Sequence, residues 1–499
     1  MTKAGPPEEL FLGIDVGTSA LKTVLVDPDG DVCFEGSAEY AVSNPQPMWS
    51  EQDPRSWWQA LGESLEHMAA QGARLDAVRA IGTAGQMHGA VLLDSAGTPL
   101  RPAILWNDGR SDEECRIFET RLPEQRKLSG NLCMPGFTAP KLIWVERNEP
   151  EVFKRVAKVL LPKDYLSYRL SGDFLSDFSD ASGTLWLNPQ ERRWDDRLLA
   201  ASHLTREHMP EVFEGCQQAA QISRLAAAEL GLRPGIPLVA GAGDNAASAV
   251  SLGITEPGAA FLSLGTSGVL FAPTATHRPL PEKTLHAFCH CLPDRWHHMA
   301  VTLSASDCLR WLGGVVGRSP AELDGLASAR TNTGMSLLFL PYLSGERTPL
   351  NDSDAVGVLF GLRVSTTLAE MVHAVMEGVA FSFVDGLETL AAAETYVSRL
   401  TILGGGAGST HWRQICADAL GLPLDYRNSA NNGPALGAAR LAIISCMEGG
   451  LDERIANVCR PPGIIQTHEP NASRHEQLRA TFENYRSLYT STRDLIGAR

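Results

Sequence analysis

A short motif occurs twice in this chain, once near its beginning and once past its middle. The first copy spans residues 13–19 (GIDVGTS), and the second spans residues 261–268 (FLSLGTSG). In both copies an apolar strand ends in a Gly-Thr-Ser turn, where backbone N–H groups and hydroxyls meet at one point. Glycine in the turn permits the close approach of an anion. The repetition predicts two related domains that face each other, each with one phosphate-binding hairpin.

We expect the residues of these two turns to bind phosphate. The chain contains no Gly-x-x-x-x-Gly-Lys-Ser/Thr loop, so phosphate binding must use the paired hairpins instead. A tight turn that recurs by chance is the alternative for either copy taken alone. The candidate contacts are Gly17, Thr18 and Ser19 in the first turn, and Gly265 and Thr266 in the second.

The two copies differ in the strand that precedes the turn. Asp15 in the first copy corresponds to Ser263 in the second, so only one half offers a carboxylate beside its turn. One carboxylate is enough to hold a single Mg²⁺ through water or phosphate oxygens. Lys22 follows the first turn and either adds positive charge to a phosphate site or stays solvated at the start of a strand. We favour the solvated position for Lys22.

Composition limits the partners of the chain. Its 499 residues correspond to roughly three domains of about 150 residues, or to two large ones. The 43 basic and 58 acidic residues give a net charge of -15, which disfavours binding to nucleic acid or to an anionic membrane. A small neutral substrate is compatible with this charge. The oligomeric state is left open, with a homodimer as one option.

The sequence shows no targeting or membrane signal. Residues 1–10 (MTKAGPPEEL) contain no apolar segment behind a basic start. No later stretch keeps the apolar run of about 18 residues that a membrane-spanning helix needs. The ten cysteines are scattered rather than spaced like a disulfide framework. These features predict a cytoplasmic protein with reduced thiols.

The opening part of the chain has the pattern of a mixed sheet with helices on its faces. A helix is predicted to begin with Asp53 as N-cap and Pro54 at its first position. The last of the predicted strands leads into the sequence GQMHG at residues 85–89. This order of elements predicts an α/β fold. The predicted strands span residues 10–16, 23–26, 32–40 and 80–84.

A second constellation lies at residues 238–247 (LVAGAGDNAA). Here an apolar strand delivers Asp244 and Asn245 to the start of a helix. Small neighbours leave the carboxylate free to reach a substrate hydroxyl as a general base, and the adjacent amide can hold a second hydroxyl. Alternatively, Asp244 only caps the helix. The motif alone leaves both interpretations open.

A glycine-rich loop follows a later strand. Residues 404–410 (GGGAGST) lie between a strand and a helix, an arrangement typical of a nucleotide site, and Thr410 is a candidate contact. With Asp425 as a ribose-binding acid, the segment also resembles part of a dinucleotide fingerprint. However, Ser409 replaces the last glycine, and fewer than a hundred residues remain for further strand-helix units. We therefore disfavour a dehydrogenase.

Two weaker signals have structural alternatives. Histidines and cysteines crowd residues 286–298, but they lack a second Cys-x-x-Cys arm and alternate along a strand. A zinc site is therefore disfavoured. The segment 106–110 (WNDGR) follows a strand, and it either lines a substrate pocket or forms a turn held by Asp108 and Arg110.

These motifs resemble the sugar kinases of the FGGY family. The resemblance runs along nearly the whole chain and is closest to the bacterial members that phosphorylate D-xylulose. The segments that carry it are 13–19, 49–54 (WSEQDP), 85–89, 106–110, 134–142 (MPGFTAPKL), 243–245 (GDN), 341–349 (PYLSGERTP) and 357–377.

The resemblance implies two actin-like, ribonuclease-H-like domains with ATP and sugar in the cleft between them. The expected division is a disordered tail at residues 1–9, a sugar-binding domain at 10–245 and a nucleotide-binding domain at 246–499. The implied reaction is phosphoryl transfer from Mg²⁺-ATP to the 5-hydroxyl of D-xylulose.

The resemblance also implies roles for individual residues. Asp244 corresponds to the general base of the family. The residues that would line the sugar are Met87, His88 and Asn245, and those that would face the adenosine are Gly405 and Gly406.

Other functions are compatible with part of this evidence. Within the family, another ketose or a polyol is an alternative acceptor, since a fold does not fix its substrate. An actin-like or chaperone-like ATPase without a sugar acceptor is an alternative of a different class, as is an inactive sugar sensor. The sequence at residues 85–89 and the Asp244-Asn245 pair favour an acceptor pocket with an intact base.

Overall fold

The structure, a computed structural model, describes residues 9–329, 337–428 and 433–496. The predicted disordered tail, residues 1–9, lies outside these ranges except for Glu9, which is exposed. Among the residues described, no helix has the length and apolar character needed to cross a membrane.

The first half of the chain alternates strands with helices. Its strands are β1 (Leu10–Val16), β2 (Ala20–Val26), β3 (Val32–Glu39), β4 (Glu51–Gln52), β5 (Val78–Gly85), β6 (Val91–Leu93), β7 (Ala103–Ile104), β8 (Lys158–Leu160), β9 (Leu175–Asp177), β10 (Leu187–Asn188), β11 (Arg193–Trp194), β12 (Glu211–Phe213), β13 (Gln218–Gln221), β14 (Pro237–Val239) and β15 (Ala242–Gly243). Its helices are α1 (Pro54–Ala70), α2 (Asp112–Arg121), α3 (Gln125–Ser129), α4 (Thr138–Asn148), α5 (Pro150–Phe153), α6 (Pro162–Ser171), α7 (Phe178–Ser182), α8 (Asp196–Ala201), α9 (Arg224–Leu230) and α10 (Asp244–Ser251).

The second half has fewer strands and longer helices. Its strands are β16 (Ala259–Leu264), β17 (Gly268–Thr274), β18 (His286–Cys289), β19 (Trp296–Thr302), β20 (Leu338–Leu340), β21 (Val358–Phe360), β22 (Arg399–Leu403), β23 (Leu424–Arg427) and β24 (Ile464–His468). Its helices are α11 (Ser306–Val316), α12 (Pro320–Ser328), α13 (Leu368–Ala392), α14 (Thr410–Leu420), α15 (Gly433–Cys446), α16 (Leu451–Val458) and α17 (Ala472–Ile496).

The first half is built on a mixed sheet with the strand order β13-β14-β5-β1-β2-β3, in which β15 also pairs with β5. Strand β1 runs antiparallel to β2 and parallel to β5, and it is buried along its whole length. The strands predicted at residues 10–16, 32–40 and 80–84 correspond to β1, β3 and β5. The strand predicted at residues 23–26 begins earlier, at Ala20.

The second half repeats this arrangement. Its main sheet has the order β18-β19-β17-β16-β22-β23-β24. Strand β16 runs antiparallel to β17 and parallel to β22, just as β1 runs relative to β2 and β5. The turn between β16 and β17 therefore corresponds to the turn between β1 and β2. The predicted relation between the two halves is confirmed.

One helix of the second half packs against the first sheet. Helix α15 lies on β1, β5 and α10, so the chain crosses back between β23 and β24. Two glycines permit this close approach. A Cβ at Gly82 would lie 2.0 Å from the carbonyl oxygen of Ala438, and one at Gly437 would lie 1.9 Å from that of Ala247. The two halves thus share an apolar core along α10 and α15.

The local sequence explains where two of the helices begin. Asp53 is the N-cap of α1 and accepts from the backbone N–H of Arg55, with Pro54 in the first position as predicted. Ser409 caps α14 by accepting from the N–H of Trp412. These caps set the first residues of α1 and α14.

Candidate active site

Asp244 lies where the short strand β15 turns into α10. The N-cap of α10 is Gly243, so Asp244 is the first residue of the helix and not its cap. Asp244 Oδ1 accepts from the backbone N–H of Asn245 (2.7 Å) and from Asn245 Nδ2 (2.8 Å). Burial raises the pKa of Asp244 to about 6. The carboxylate is oriented by its neighbour, and its pKa suits a general base near neutral pH.

A cavity of about 250 Å³ lies beside Asp244, between the two halves of the chain. The predicted sugar-binding residues Met87, His88 and Asn245 all line it, together with the candidate base Asp244. From the first half, the lining residues are Met87, His88, Trp106, Met134, Gly136, Phe137, Asp244 and Asn245. From the second half, they are Ser267, Val269, His286, Met299, Val301 and Arg347.

His88 is held in a fixed orientation at this cavity. Its φ is 67°, a left-handed conformation that residues other than glycine rarely adopt. Its ring Nδ1 lies 2.7 Å from the carbonyl oxygen of Gly183, and Lys141 Nζ donates to the His88 carbonyl (2.9 Å). Burial lowers the pKa of His88 to about 3, so the ring is neutral. With Nδ1–H donating to Gly183, Nε2 is left as an acceptor.

Asp15 lies near the end of β1 and close to Asp244. Burial and the negative charge of Asp244 raise the pKa of Asp15 to about 7. The residue is 7% exposed, and its Oδ1 is a buried atom without a hydrogen-bond partner among the residues described. Neighbouring buried carboxylates repel each other unless a cation compensates their charge. An unpartnered carboxylate oxygen of this kind fits a divalent cation that prefers oxygen ligands.

The first Gly-Thr-Ser turn is fixed by side chains around it. Gln52 Nε2 donates to the carbonyl of Thr18 (2.6 Å), and the Tyr40 hydroxyl donates to the carbonyl of Gly17 (2.6 Å). Trp106 Nε1 donates to Thr18 Oγ1 (3.0 Å) and connects the turn to the cavity that it lines. The first two contacts use carbonyl groups of the turn, the third uses the Thr18 hydroxyl, and together they fix its shape.

The second turn packs against the glycine-rich loop. The carbonyl of Gly265 accepts from the N–H of Ser306 (2.8 Å), and that of Thr266 accepts from the N–H of Ala305 (2.8 Å). Gly404 has a φ of 93° and approaches so closely that a Cβ there would lie 2.8 Å from the Gly265 nitrogen. The structure thus brings the second turn and the predicted nucleotide loop together.

The remaining candidate nucleotide residues lie around this contact. A Cβ at Gly406 would lie 2.6 Å from a side chain of β16, whereas one at Gly405 would meet nothing within 4 Å. Thr410 is the first residue of α14, and its Oγ1 accepts from Arg413 Nη2 (3.0 Å). Gly405 therefore faces open space. The exposed residues of the two turns are Ser19 and Thr266.

A buried ionic cluster supports the backbone that precedes Asp244. Lys163 Nζ lies 2.9 Å from Asp177 Oδ1, and both side chains are shielded from solvent. Asp177 Oδ2 accepts from the hydroxyl of Ser179, and Ser179 Oγ accepts from the N–H of Gly243 (3.0 Å). This chain of contacts fixes the residue immediately before the candidate base.

The structure gives observations on two alternatives that the sequence disfavoured. Asp425 is fully buried and pairs with Arg399 (2.8 Å) and Arg427 (2.9 Å), so it does not face a ribose. In the parts of the chain that are described, no group of three His, Cys, Asp or Glu side chains could hold a metal ion. The rings of His290 and His297 are instead buried, with lowered pKa values.

Two cavity residues from the second half carry no local sequence signal for sugar binding. His286 lies on β18, and Arg347 lies in the segment 341–349. Neither is adjacent in sequence to another polar residue of the cavity, because only the packing of the two halves brings them across the cleft. Trp106, for which the sequence left two interpretations open, lines the cavity.

The family of the chain follows from comparison with known proteins. The N-terminal domain model of the FGGY family of carbohydrate kinases matches residues 10–251, and the C-terminal domain model matches residues 260–446. The chain belongs to the FGGY family of carbohydrate kinases. The resemblance found in the sequence is confirmed, and this FGGY kinase is an ATP-dependent carbohydrate kinase.

Curated relatives of this FGGY kinase are named xylulose kinase. The protein from Escherichia coli (strain K12) is 46% identical over 96% of this chain and 98% of its own length. The protein from Klebsiella pneumoniae is 43% identical over 98% of this chain and 100% of its own length.

Solved structures of similar proteins have the same architecture. The xyloylose kinase of Brucella ovis is 43% identical and has a TM-score of 0.94, over 98% of this chain and 100% of that chain. The xylulose kinase of Rhodospirillum rubrum is 27% identical and has a TM-score of 0.90, over 98% and 100% of the two chains. This FGGY kinase therefore has the two-domain, actin-like α/β fold that the resemblance implied.

Proposed function

We propose that this FGGY kinase transfers the γ-phosphoryl group of ATP to the 5-hydroxyl of D-xylulose, giving D-xylulose 5-phosphate and ADP. Relatives that match almost the whole chain and are named for xylulose support the proposal. The observation that carries it is the meeting of a candidate base and hydroxyl-binding groups in one small cavity, namely Asp244, Asn245 and His88.

The cavity suits a small uncharged sugar. Its volume of about 250 Å³ lies below the range of about 300–1,000 Å³ that is typical of drug-sized ligands. Asn245 and the Nε2 of His88 offer hydrogen bonds to hydroxyls, whereas Met87 and Phe137 form apolar walls. A buried polar group left without a partner costs about 1–3 kcal/mol, so hydroxyls in the wrong places weaken binding. We therefore assign a ketopentose rather than a larger sugar.

Asp244 acts as the general base in this proposal. Phosphoryl transfer depends mainly on positioning and charge, but the acceptor hydroxyl must lose its proton. With a pKa of about 6, Asp244 is mostly deprotonated at neutral pH. Asn245 engages Oδ1, and Oδ2 forms no hydrogen bond within the described ranges. Oδ2 is therefore the atom that accepts the proton.

Asp15 holds the Mg²⁺ that accompanies ATP, directly or through water. The fit rests on its buried Oδ1, which lacks a partner in the described part of the chain, and on the nearby negative charge of Asp244. When bound, Mg²⁺ neutralises charge on the phosphates during transfer. Asp15 itself contributes a fixed carboxylate at the end of β1.

We place the nucleotide along the two turns and the glycine-rich loop. Open space at Gly405, next to the close contact of Gly404 with the second turn, supports an adenosine there. With the nucleotide in this position, residues 246–499 form the nucleotide-binding domain and residues 10–245 form the sugar-binding domain. The residues assigned to ATP are Gly17, Thr18, Ser19, Gly265, Thr266, Gly405, Gly406 and Thr410.

Steady-state kinetics test the proposal. ADP release is measured with Mg²⁺-ATP alone and with D-xylulose, D-ribulose, D-fructose, xylitol or glycerol at matched concentrations. We expect D-xylulose to give the highest kcat/KM and a product with its phosphate on C5, as identified by NMR.

Two other results would contradict parts of the proposal. A higher kcat/KM with a ketohexose or a polyol would reject xylulose as the substrate but leave the carbohydrate kinase intact. ADP release that no acceptor stimulates would favour an ATPase without a sugar acceptor.

A further inference from the structure

Arg347 belongs to the segment 341–349, and its backbone is held on both sides. Its N–H donates to Glu346 Oε1 (2.7 Å). Its carbonyl accepts from Thr284 Oγ1 (2.8 Å) and from the N–H of Asn351 (2.6 Å). The point from which the Arg347 side chain starts is therefore fixed.

The adjacent carboxylate of Glu346 interacts with the charge of Arg347 through space but forms no direct ion pair with it. Glu346 is 3% exposed, and it accepts from Thr302 Oγ1 (2.6 Å) and from the N–H of Leu303 (3.1 Å). These contacts direct Glu346 toward β19, and no ion pair joins its carboxylate to the guanidinium of Arg347. Glu346 therefore lies against the end of β19, whereas Arg347 lies at the cavity.

The Arg347 guanidinium lines the cavity beside Asp244. Within residues 9–329, 337–428 and 433–496, its side chain has neither a hydrogen bond nor an ion pair. Its positive charge contributes to the lowered pKa values of His88 and His286. Burial raises the pKa of Asp244, and the hydrogen bonds from Asn245 offset part of that increase. The Arg347 carbonyl accepts from Thr284 Oγ1, two residues before His286 on β18, so Arg347 lies at the histidine end of the cavity.

We propose that Arg347 is a sugar-positioning residue whose guanidinium donates hydrogen bonds to the end of the ketose that lies away from Asp244. This inference rests on the proposed function. The Arg347 side chain is half-buried, and its guanidinium carries five N–H donors in a planar fork, so a sugar that covers it must supply acceptors. The carbonyl and the adjacent hydroxyl of a ketose offer two oxygens side by side, which match that fork.

The location of Arg347 also connects sugar binding to the other half of the enzyme. His88 and Asn245 belong to the first half, whereas Arg347 belongs to the half that carries the second turn and the glycine-rich loop. A sugar bound by both halves bridges the cleft between them.

The test compares Arg347→Met and Arg347→Lys with the wild-type protein. The matched control is Arg363→Met, because Arg363 is an exposed arginine in the same half and outside the cavity. Measurements are KM for D-xylulose, KM for ATP, ADP release without sugar, and the shift in melting temperature on adding D-xylulose.

We expect Arg347→Met to raise KM for D-xylulose at least tenfold and to lose the sugar-dependent shift in melting temperature. KM for ATP and sugar-independent ADP release should stay within twofold of wild type. Arg347→Lys should lie between the two, since lysine keeps the charge but not the fork. Guanidinium ion at millimolar concentration should partly restore Arg347→Met, which a merely structural role does not predict.

Several outcomes would overturn the inference. An unchanged KM for D-xylulose in Arg347→Met, or equal increases in both KM values, would show that Arg347 does not position the sugar. If Arg347→Met does not fold, an unchanged KM for D-xylulose in Arg347→Lys would exclude the positioning role in the same way. Wild-type protein that D-xylulose does not stimulate would reject the proposed function itself, so the two failures are distinguishable.

Discussion

In the first half of this FGGY kinase, side chains reinforce the backbone hydrogen bonds of the Gly-Thr-Ser turn; in the second half, backbone hydrogen bonds hold the turn. Gln52 and Tyr40 donate to the carbonyls of the first turn, and Asp15 lies buried in the strand before it. The second turn accepts from backbone N–H groups at the start of α11 and packs against Gly404. Ser263 occupies the position that corresponds to Asp15.

The difference shows how one repeated frame serves two tasks. In both halves a strand runs antiparallel to its hairpin partner and parallel to a strand from farther along the chain. The first copy adds charge, since Asp15 lies close to Asp244. The second copy adds open glycine backbone next to its turn. We infer that the first half supplies the charged groups of catalysis and that the second supplies space for the nucleotide.

The largest expected effect comes from removing the charge of Asp244. Asp244→Asn keeps the shape of the side chain but cannot accept the proton of the acceptor hydroxyl. We expect kcat to fall by about 10²- to 10⁴-fold, the usual contribution of a general base. ATP affinity should remain near normal, as measured by equilibrium binding of a fluorescent nucleotide. A variant that keeps most of its kcat would remove Asp244 from this role.

The next prediction compares the two matching positions directly. Asp15→Ala should lower kcat/KM for ATP by on the order of 10²-fold, because a cation near the phosphates loses its fixed carboxylate. Ser263→Ala should stay within about twofold, as expected for a position without such a contact. Increasing Mg²⁺ should partly restore Asp15→Ala and leave Ser263→Ala unaffected. Equal losses in the two variants would mean that the asymmetry between the repeats has no function.

The sequence predicted the repeated frame because its determinants are local. The Gly-Thr-Ser turns, the Asp53-Pro54 helix start and the placement of Asp244 at the beginning of α10 all follow from neighbouring residues. Met87 and His88 entered only through the family resemblance, since the loop at residues 85–89 has no pattern that assigns them to a sugar.

The features that the sequence did not predict depend on contacts between distant segments. Arg347 and His286 reach the cavity only because the second half faces the first. Similarly, the sequence of α15 does not reveal that it packs on the first sheet, which needs the close approach at Gly82 and Gly437. The ion pair of Asp425 with Arg399 joins β23 to β22, which are neighbours only in the folded sheet.

A smaller effect is expected when the polar and the apolar residues that the first half contributes to the cavity are substituted in turn. His88→Ala removes an acceptor for a sugar hydroxyl, which is worth about 1–3 kcal/mol and corresponds to an increase of about 5- to 150-fold in KM for D-xylulose. KM for ATP should change less. Met87→Ala should be milder, because an apolar neighbour shapes the cavity without binding a hydroxyl. Kinetics with both substrates varied will measure this, and equal increases in both KM values would contradict it.

The smallest expected effect is the dependence of kcat/KM for D-xylulose on pH. This dependence distinguishes the titration of Asp244 from that of Asp15. The pKa of Asp244 is raised to about 6, so below that pH the base is increasingly protonated and inactive. We expect kcat/KM to be level above this pH and to fall as pH decreases, by about tenfold at pH 5. The raised pKa of Asp15, about 7, partly reflects the charge of Asp244, so the observed pKa belongs to the pair.

Mg²⁺ distinguishes which member of this pair controls the acid limb. A cation bound at Asp15 favours the deprotonated carboxylate, so a limb governed by Asp15 should move to lower pH as Mg²⁺ is raised. A limb governed by Asp244 should stay close to pH 6 once Mg²⁺-ATP is saturating. We expect the second behaviour from profiles recorded at two saturating Mg²⁺ concentrations. A profile that stays level down to pH 5 would exclude Asp244 as the titrating base, and the charge asymmetry between the halves would then rest on Asp15 alone.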